Sequence, residues 1–199
     1  MRVCVAACLV LGLCSLTAQA QMSMGGPPAT PAAGTIVAPS MAIDAQLSGL
    51  EGEMMGVVKA MPADKFGFAP SAAIFVPSQT TQFATVRTFA QQATHVAAAN
   101  YSFYASLSGL KPDVDMSTIA NLTAKDDVVR VLASSFAFAH KAIATITAAN
   151  AFEVVKSGEG FETRATLAQF GVSHGFDHYG QMVEYLRMNG IVPPASVPK

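Results

Sequence analysis

The chain has 199 residues, of which 51% are hydrophobic and 13% are charged, and its formal net charge is −1 at pH 7. This balance argues against a disordered tail. The twelve lysines and arginines are spread along the chain, so it lacks the concentrated basic face that a nucleic-acid binder needs. The length suits one domain with a packed core.

The first twenty residues have the pattern of a secretory signal peptide. Arg2 gives a short positive start, residues 3–16 form an apolar run, and residues 18–20 form an A-x-A cleavage site. The run is too short to span a bilayer comfortably, although a retained membrane anchor stays as the alternative. We therefore expect an exported protein, periplasmic or secreted, that keeps no stable membrane anchor after cleavage.

All three cysteines, Cys4, Cys8 and Cys14, lie within this predicted signal peptide. Cleavage after residue 20 would leave no disulfide, no thiol nucleophile and no cysteine-type zinc site. Cys14 also raises a lipoprotein alternative, which the bulky Leu13 before it disfavours. The mature protein is therefore expected to rely on its packed core for stability.

Residues 21–39 are rich in Gly, Pro and Ala, show no apolar period and are predicted to be a flexible linker. The folded domain is predicted over residues 40–196. Its first helix has Ser40 as N-cap, runs to Met61 and ends at Pro62. One apolar stripe follows this helix at three- and four-residue intervals: Ile43, Leu47, Leu50, Met54, Val57, Val58 and Met61. A long connection follows, whose aromatic residues are expected to pack against the body: Phe66, Phe68, Phe75 and Phe83.

Three further helices are predicted from periodicity and end signals. The second runs from about Thr85 to Ser108, with Gly109 as its stop. Its apolar face is Val86, Phe89, Ala93, Val96, Ala97, Tyr104 and Leu107. The third has Thr123 as N-cap, with Asp126 three residues on, and continues to about Ala149. The apolar residues of this helix are Val128, Val129, Leu132, Phe136, Ile143 and Ile146.

The fourth helix has Thr163 as N-cap, runs to Asn189 and ends at Gly190, with Pro193 beyond. The apolar stretches at residues 74–76 and 152–155 are too short to indicate a sheet. Four long amphipathic helices predict an all-α fold, a four-helix bundle.

Two of the four histidines lie one helical turn apart on the fourth helix. His174 and His178 project from the same face, which Gln181 and Tyr185 continue. The apolar stripe assigned to this helix, which is Val172, Tyr179, Val183 and Leu186, lies well round from that face. The pair is therefore predicted to flank the core. His95 lies on a face of the second helix with small and polar neighbours, which could be solvent, a subunit contact or the wall of a cleft.

Two imidazoles at positions i and i+4 can share one metal ion, and a third from another helix would leave positions open for water. The alternative is a set of unrelated surface imidazoles. His140 lies among apolar and small residues and is predicted to be a partly buried histidine, not a ligand. Asp177 and Glu184 could orient an imidazole by hydrogen bonding, although solvated helix charges are the simpler interpretation.

The sequence as a whole resembles the DinB/YfiT-like superfamily. The resemblance rests on FATVRTFAQQATHVAAANYSFYASLSG, on TRATLAQFGVSHGFDHYGQMVEYLRMNGIVPP and on MPADKFGFAP after the first helix, and it covers roughly residues 43–196. It implies an up-down-down-up four-helix bundle, often a homodimer. It also implies a divalent ion, zinc or nickel, bound by His95, His174 and His178. Characterised relatives include transferases and isomerases that use low-molecular-weight thiols, whereas the predicted signal peptide departs from the usual cytoplasmic members.

We therefore expect an exported metal-binding protein with a three-histidine site. Whether it is an enzyme stays open: a metal-dependent transferase or hydrolase of an unknown small molecule is one hypothesis. The other is a non-catalytic helical module for binding or interaction.

Overall fold

The computed structural model describes residues 30–74, 76, 79–80, 82–157 and 160–198. The predicted signal peptide and residues 21–29 of the predicted linker lie outside the described residues, as does Phe75. The described residues fall into two units, which meet between Thr35 and Ile36 in the sequence. Of the first unit, residues 30–35 are described, and Thr35 donates its backbone N–H to the Ala32 carbonyl in a turn.

The second unit is built mainly from helices. In chain order its helices and strands are α1 (Pro39–Ala60), α2 (Phe89–Ser108), α3 (Met116–Ile119), α4 (Lys125–Ile143), β1 (Val154–Ser157), β2 (Phe161–Thr163) and α5 (Arg164–Met188). Among the described residues, single-turn 3₁₀ helices lie between α1 and α2 at Ala63–Lys65 and Ala72–Ile74, and another follows α5 at Pro194–Ser196. The long helices α1, α2, α4 and α5 are the four that the sequence predicts.

The four long helices form a ring. α1 packs on α4 and α5, and α2 packs on the same two helices, so α1 and α2 lie at opposite corners. The predicted four-helix bundle is confirmed. The predicted stripe of α1 is buried from Leu47 to Met61, and that of α2 is buried from Phe89 to Leu107. Each of these large side chains contributes about 1.5–3 kcal/mol through its removal from water.

The helix starts differ from the prediction in three places. α1 begins at Pro39 with Ala38 as N-cap, not Ser40, because proline needs no N–H partner at the first helical position. α2 begins at Phe89, since Thr88 and Gln91 form a capping box, and Val86 lies exposed before the helix. α4 begins at Lys125 with Ala124 as N-cap, so Thr123 does not cap it.

The end of α4 is also earlier than predicted. The helix stops at Ile143. The side-chain amide of Asn150 then donates to the Thr145 carbonyl and accepts the Thr147 N–H. Such local side-chain bonds compete with helix continuation. Ile146 remains buried in the turn that follows. The bounds of α5 agree with the prediction: Thr163 caps its start, and Gly190 follows its end with φ of 73°.

A small hairpin, which the sequence did not predict, leads into α5. β1 and β2 pair antiparallel, with Val154 opposite Thr163 and an irregularity before Lys156. Arg164, the first residue of α5, donates from Nε to Glu153 Oε2 at 3.0 Å. The hairpin therefore ties the start of α5 to the preceding turn.

The connection between α1 and α2 is held against the bundle by two of its aromatic residues. The Phe66 ring is buried and packs edge-on against Phe89, at 5.3 Å between centroids, and Phe68 packs edge-on against Tyr185 at 5.6 Å. The carbonyls of Phe68 and Phe66 accept the N–H groups of Phe89 and Ala90, at 2.8 and 2.9 Å. This loop therefore fixes the N-terminus of α2, where the candidate site begins.

Within the described residues no helix has the length and apolar character needed to cross a bilayer.

Candidate metal centre

The three histidines of the predicted site come together between α2 and α5. His95 is in the second turn of α2, and His174 and His178 lie one turn apart near the middle of α5. His174 Nε2 lies 3.2 Å from His95 Nε2 and 3.2 Å from His178 Nε2. One nitrogen of each ring lies within 4.8 Å of the others, which is close enough for the three to hold a metal ion. Of the three environments considered for His95, the structure shows the wall of a cleft between helices.

The position of His178 corrects the sequence prediction. The sequence predicts that the pair flanks the core, but His178 is only 5% exposed, whereas His174 and His95 are half-buried. The reason is that the stripe on α5 was assigned from large apolar residues alone. Glycines in fact form part of the buried face: a Cβ on Gly175 would lie 2.3 Å from Leu50 Cδ2. α1 therefore approaches α5 closely between the two histidines, and Tyr179 and Val183 are only partly buried.

Gln92, one turn before His95 on α2, holds the buried imidazole in place. Its Oε1 lies 2.7 Å from His178 Nδ1, and its Nε2 donates to Gln181 Oε1 at 2.8 Å. Gln181 Nε2 in turn donates to Asp177 Oδ2 at 3.0 Å. Because a carboxylate only accepts, this chain of bonds gives each amide one orientation, and His178 then donates its Nδ1 proton to Gln92. The lone pair of His178 is therefore on Nε2, which points at the other two rings.

His174 lies at the centre of the cluster. Its Nδ1 is buried and has no hydrogen-bond partner among the described residues. Phe103 packs edge-on against the ring at 5.4 Å between centroids, and Phe170 lies tilted at 6.3 Å. These aromatic rings cover the ring of His174 and restrict its rotation.

The surroundings keep all three imidazoles neutral. Burial lowers the pKa of His178 to about 4, aided by the neighbouring His174 and His95 and by Arg87, while Asp177 opposes the shift. Burial, Arg87 and His174 lower the pKa of His95. Burial also lowers the pKa of His174, with Arg87 adding to the shift and Asp177 opposing it. A neutral imidazole is the form that binds a metal ion.

The geometry and the chemistry of the donors fit a divalent ion. Metal–nitrogen bonds of 2.0–2.1 Å at a tetrahedral angle place two ligand nitrogens about 3.3 Å apart, and the two measured separations are 3.2 Å. Three imidazoles leave a fourth position for a water or a substrate atom, whereas structural zinc sites are closed by four protein ligands.

The remaining candidates from the sequence lie elsewhere or act indirectly. Asp177 reaches His178 only through two amides, and Glu184 lies 3.8 Å from Arg187 on the same helix. Tyr185 is buried and donates its hydroxyl proton to the Arg87 carbonyl at 3.0 Å. His140, predicted not to be a ligand, belongs to a separate cluster with Asp44 and Glu51.

Sequence reasoning missed Gln92 and Arg87. The signal for Gln92 is a polar residue three positions before a candidate ligand. Arg87 lines a cavity of about 480 Å³ that reaches the site through His95. The segment around the second helix that carries the family resemblance contains Arg87, but no pattern in that segment marks the arginine as functional.

Comparison with known proteins agrees with the fold. The family model described as the DinB superfamily matches residues 46–182. A solved structure of a DinB-like protein from Bacillus subtilis superposes with a TM-score of 0.54 at 12% sequence identity, covering 79% of this chain and 96% of that chain. At this identity the likeness concerns the fold alone. No curated protein matches the sequence.

Proposed function

Because the chain belongs to the DinB superfamily, we propose that it binds one divalent metal ion through His95, His174 and His178, with zinc or nickel as the ion. The convergence of three Nε2 atoms, with separations of 3.2 Å to the central His174, is the observation that carries the proposal. The matching structure shares the fold but supplies no ligand set for this chain.

We further propose that the site acts on a small molecule, as a metal-dependent transferase or hydrolase. When bound, the ion would act as a Lewis acid at its open position. The protein would hold the ion through neutral imidazoles, fix His178 through Gln92 and cover His174 with Phe103 and Phe170. A cavity at His95 supports this function over the alternative of a non-catalytic module, because a substrate needs space beside the open position.

Metal content tests the ligand set. The protein would be purified, incubated with Zn²⁺ or Ni²⁺, desalted and analysed by mass spectrometry, beside His174→Ala and His178→Ala variants. We expect about one ion per wild-type chain and a large loss in both variants, because two remaining imidazoles leave too few ligands. His140→Gln is the matched control, since it removes a histidine outside the cluster. Equal metal in the wild type and a His174→Ala/His178→Ala double variant would refute the proposal.

We also propose that the protein is exported. The first twenty residues support this through their charged start, apolar run and A-x-A site. Expression of the full chain, followed by N-terminal sequencing of the fraction released from the periplasm or medium, tests it. A mature protein beginning at Gln21 is expected, whereas a cytosolic chain that retains Met1 would contradict export.

A further inference from the structure

The cavity beside the histidine cluster has an unusual charge balance. Its polar lining residues are Arg87, His95, Gln91, Thr94 and Thr85, its other lining residues are apolar, and no carboxylate lies among the lining residues that the structure describes. Arg87 is therefore the one formally charged group among the lining residues that the structure describes. A ligand that occupies this space meets a positive charge at one side and the histidine cluster at the other.

Arg87 also differs from the other arginines of the described chain. Arg130 pairs with Asp127, Arg164 with Glu153, and Arg187 lies near Glu184, 3.8 Å away. The guanidinium of Arg87 has no ion pair and no hydrogen bond with any residue that the structure describes. None of the described residues therefore competes with an external group for its donors. Five donors in a planar fork match the two oxygens of a carboxylate.

The backbone around Arg87 is fixed relative to the histidines. The Arg87 carbonyl accepts the hydroxyl proton of Tyr185, which lies on α5 two turns beyond His178. The next residue, Thr88, caps α2 through its bond with Gln91. The arginine is therefore held between the two helices that carry the cluster, and the start of its side chain has a defined place at the cavity wall.

The N-terminus of α2 has no free amide to offer an anion there. The N–H groups of Phe89 and Ala90 bond to the loop carbonyls, and that of Gln91 bonds to Thr88 Oγ1. The helix dipole still adds positive potential at this end of the cavity. Arg87 is therefore the charged group of the described cavity wall that can bind a negative group directly.

The charge of Arg87 acts on the three clustered histidines, because it helps to lower the pKa of each of them. Asp177 opposes this effect at His174 and His178 but does not line the cavity, and its Oδ2 accepts a bond from Gln181. With a divalent ion bound by three neutral imidazoles, the positive charge at the cavity would increase further.

We propose that the cavity takes a small organic anion whose carboxylate binds Arg87, with the rest of the molecule reaching towards the three histidines. This inference rests on the proposed function, because the second end of the ligand would lie at the bound ion. The cavity of about 480 Å³ is within the usual range for a small-molecule site. The proposal disfavours cationic substrates and uncharged ones of the same shape.

A matched pair of probes tests the proposal: succinate and its uncharged diamide, succinamide. Each would be titrated calorimetrically into metal-loaded and metal-free protein, with the metal content measured first. The variants are Arg87→Gln, which removes the charge, and Arg87→Lys, which keeps the charge but loses the planar fork. Arg130→Gln is the control, because it removes an arginine of α4 away from the cavity, and thermal melts would check that all variants fold.

We expect succinate to bind the loaded wild type and the Arg130→Gln variant alike. Arg87→Gln should weaken binding by about tenfold or more, as expected for a lost charge-assisted hydrogen bond, with a smaller loss in Arg87→Lys. Succinamide should bind at least about tenfold more weakly than succinate. Undetectable succinate binding, equal binding to a folded Arg87→Gln variant or equal binding of the diamide would overturn the inference. A protein that takes up no metal would refute the proposed function instead, and the metal-free titration would still test Arg87.

Discussion

The described residues include two clusters of titratable side chains that contain histidine, and the surroundings of their histidines are opposite in charge. His95, His174 and His178 face one another between α2 and α5, and the charge of Arg87 acts on all three. His140 on α4 lies between two carboxylates of α1: Asp44 Oδ1 is 2.5 Å from its Nδ1, and Glu51 Oε2 is 3.1 Å from its Nε2. The first arrangement leaves ring nitrogens free for a ligand, and the second uses both.

The pKa shifts follow from these surroundings. Burial lowers the pKa of each clustered histidine. Burial lowers that of His140 as well, but hydrogen bonds to Asp44 and Glu51 and their charges outweigh it, and the net pKa is raised. A raised pKa stabilises the fold below the unfolded value of about 6.5, and this is lost as the pH rises through the folded value. A lowered pKa has the opposite effect on the free energy of unfolding. Stability is at its full value above about pH 6.5 and decreases as the pH falls, because the unfolded chain then binds protons that the folded chain does not.

The largest effect expected from this contrast is on the pH dependence of metal binding. Because the clustered histidines have lowered pKa values, that of His178 about 4, they stay neutral in mildly acidic solution. We expect Zn²⁺ affinity to hold from neutral pH to below about 6.5, the ordinary histidine value, and then to fall about tenfold per pH unit for each proton displaced. A competition titration with a chelating dye would measure this. His140→Gln should give the same profile, and a decline that begins above pH 6.5 would contradict the shifts.

A smaller effect is expected when the buried support of His178 is removed. Gln92→Leu would leave the Nδ1–H of His178 and the Oε1 of Gln181 without their partners. Loss of such a supporting bond typically weakens metal affinity by about 10–100-fold. The same competition titration measures it, with Gln169→Leu as the control at an exposed position of α5. Unchanged affinity in Gln92→Leu would show that the amide does not position the imidazole.

The close approach of α1 to α5 gives the next prediction. Gly175→Ala would place a methyl group against Leu50, which is fully buried and has little room to move. We expect a loss of about 1–2 kcal/mol in the free energy of unfolding, together with weaker metal binding, because overpacking shifts the helix between the two histidines. Chemical denaturation and the dye titration would measure the two effects.

Gly180→Ala is the matched control for this substitution. It lies on the same helix, but its added methyl group meets nothing within 4 Å. Alanine is the better helix former by about 1 kcal/mol, so this variant should be more stable than the wild type. If both alanine variants changed the free energy of unfolding and the metal affinity by the same amounts, the contact with Leu50 would not constrain α5.

Much of the bundle could be predicted from its sequence, for reasons visible in particular residues. The stripes of α1 and α2 repeat at helical spacing, and Thr163 and Gly190 mark the two ends of α5. The failures occur where small residues or local bonds replace the usual signals. Gly175 forms part of the buried face although it has no side chain, so an assignment from large apolar residues placed the core on the wrong side of His178.

The candidate site was only partly predictable. Helical spacing alone brings His174 and His178 to one face, because it is a property of a single helix. The neighbouring position of His95 depends on how α2 packs on α5, which no local pattern encodes. The polar face of His95 left a cleft as one of three alternatives, and the family resemblance favoured it. The bond from Gln92 to His178 and the position of Arg87 at the cavity likewise require the packed structure.

The smallest expected effect concerns His140. This histidine is expected to affect the stability of the fold and not the binding of metal. His140→Gln removes a cation from between Asp44 and Glu51, whose side chains are 43% and 35% exposed. Because solvent screens this group, we expect a loss of only about 1 kcal/mol at pH 6. The loss should be smaller at pH 9 than at pH 6, because the stability given by a raised pKa is lost as the pH rises through the folded-state value. Denaturation of both proteins at the two pH values measures the difference. An equal loss at both would mean that packing, not charge, accounts for the contribution of His140, and loss of bound metal from this variant would contradict the independence of the two clusters.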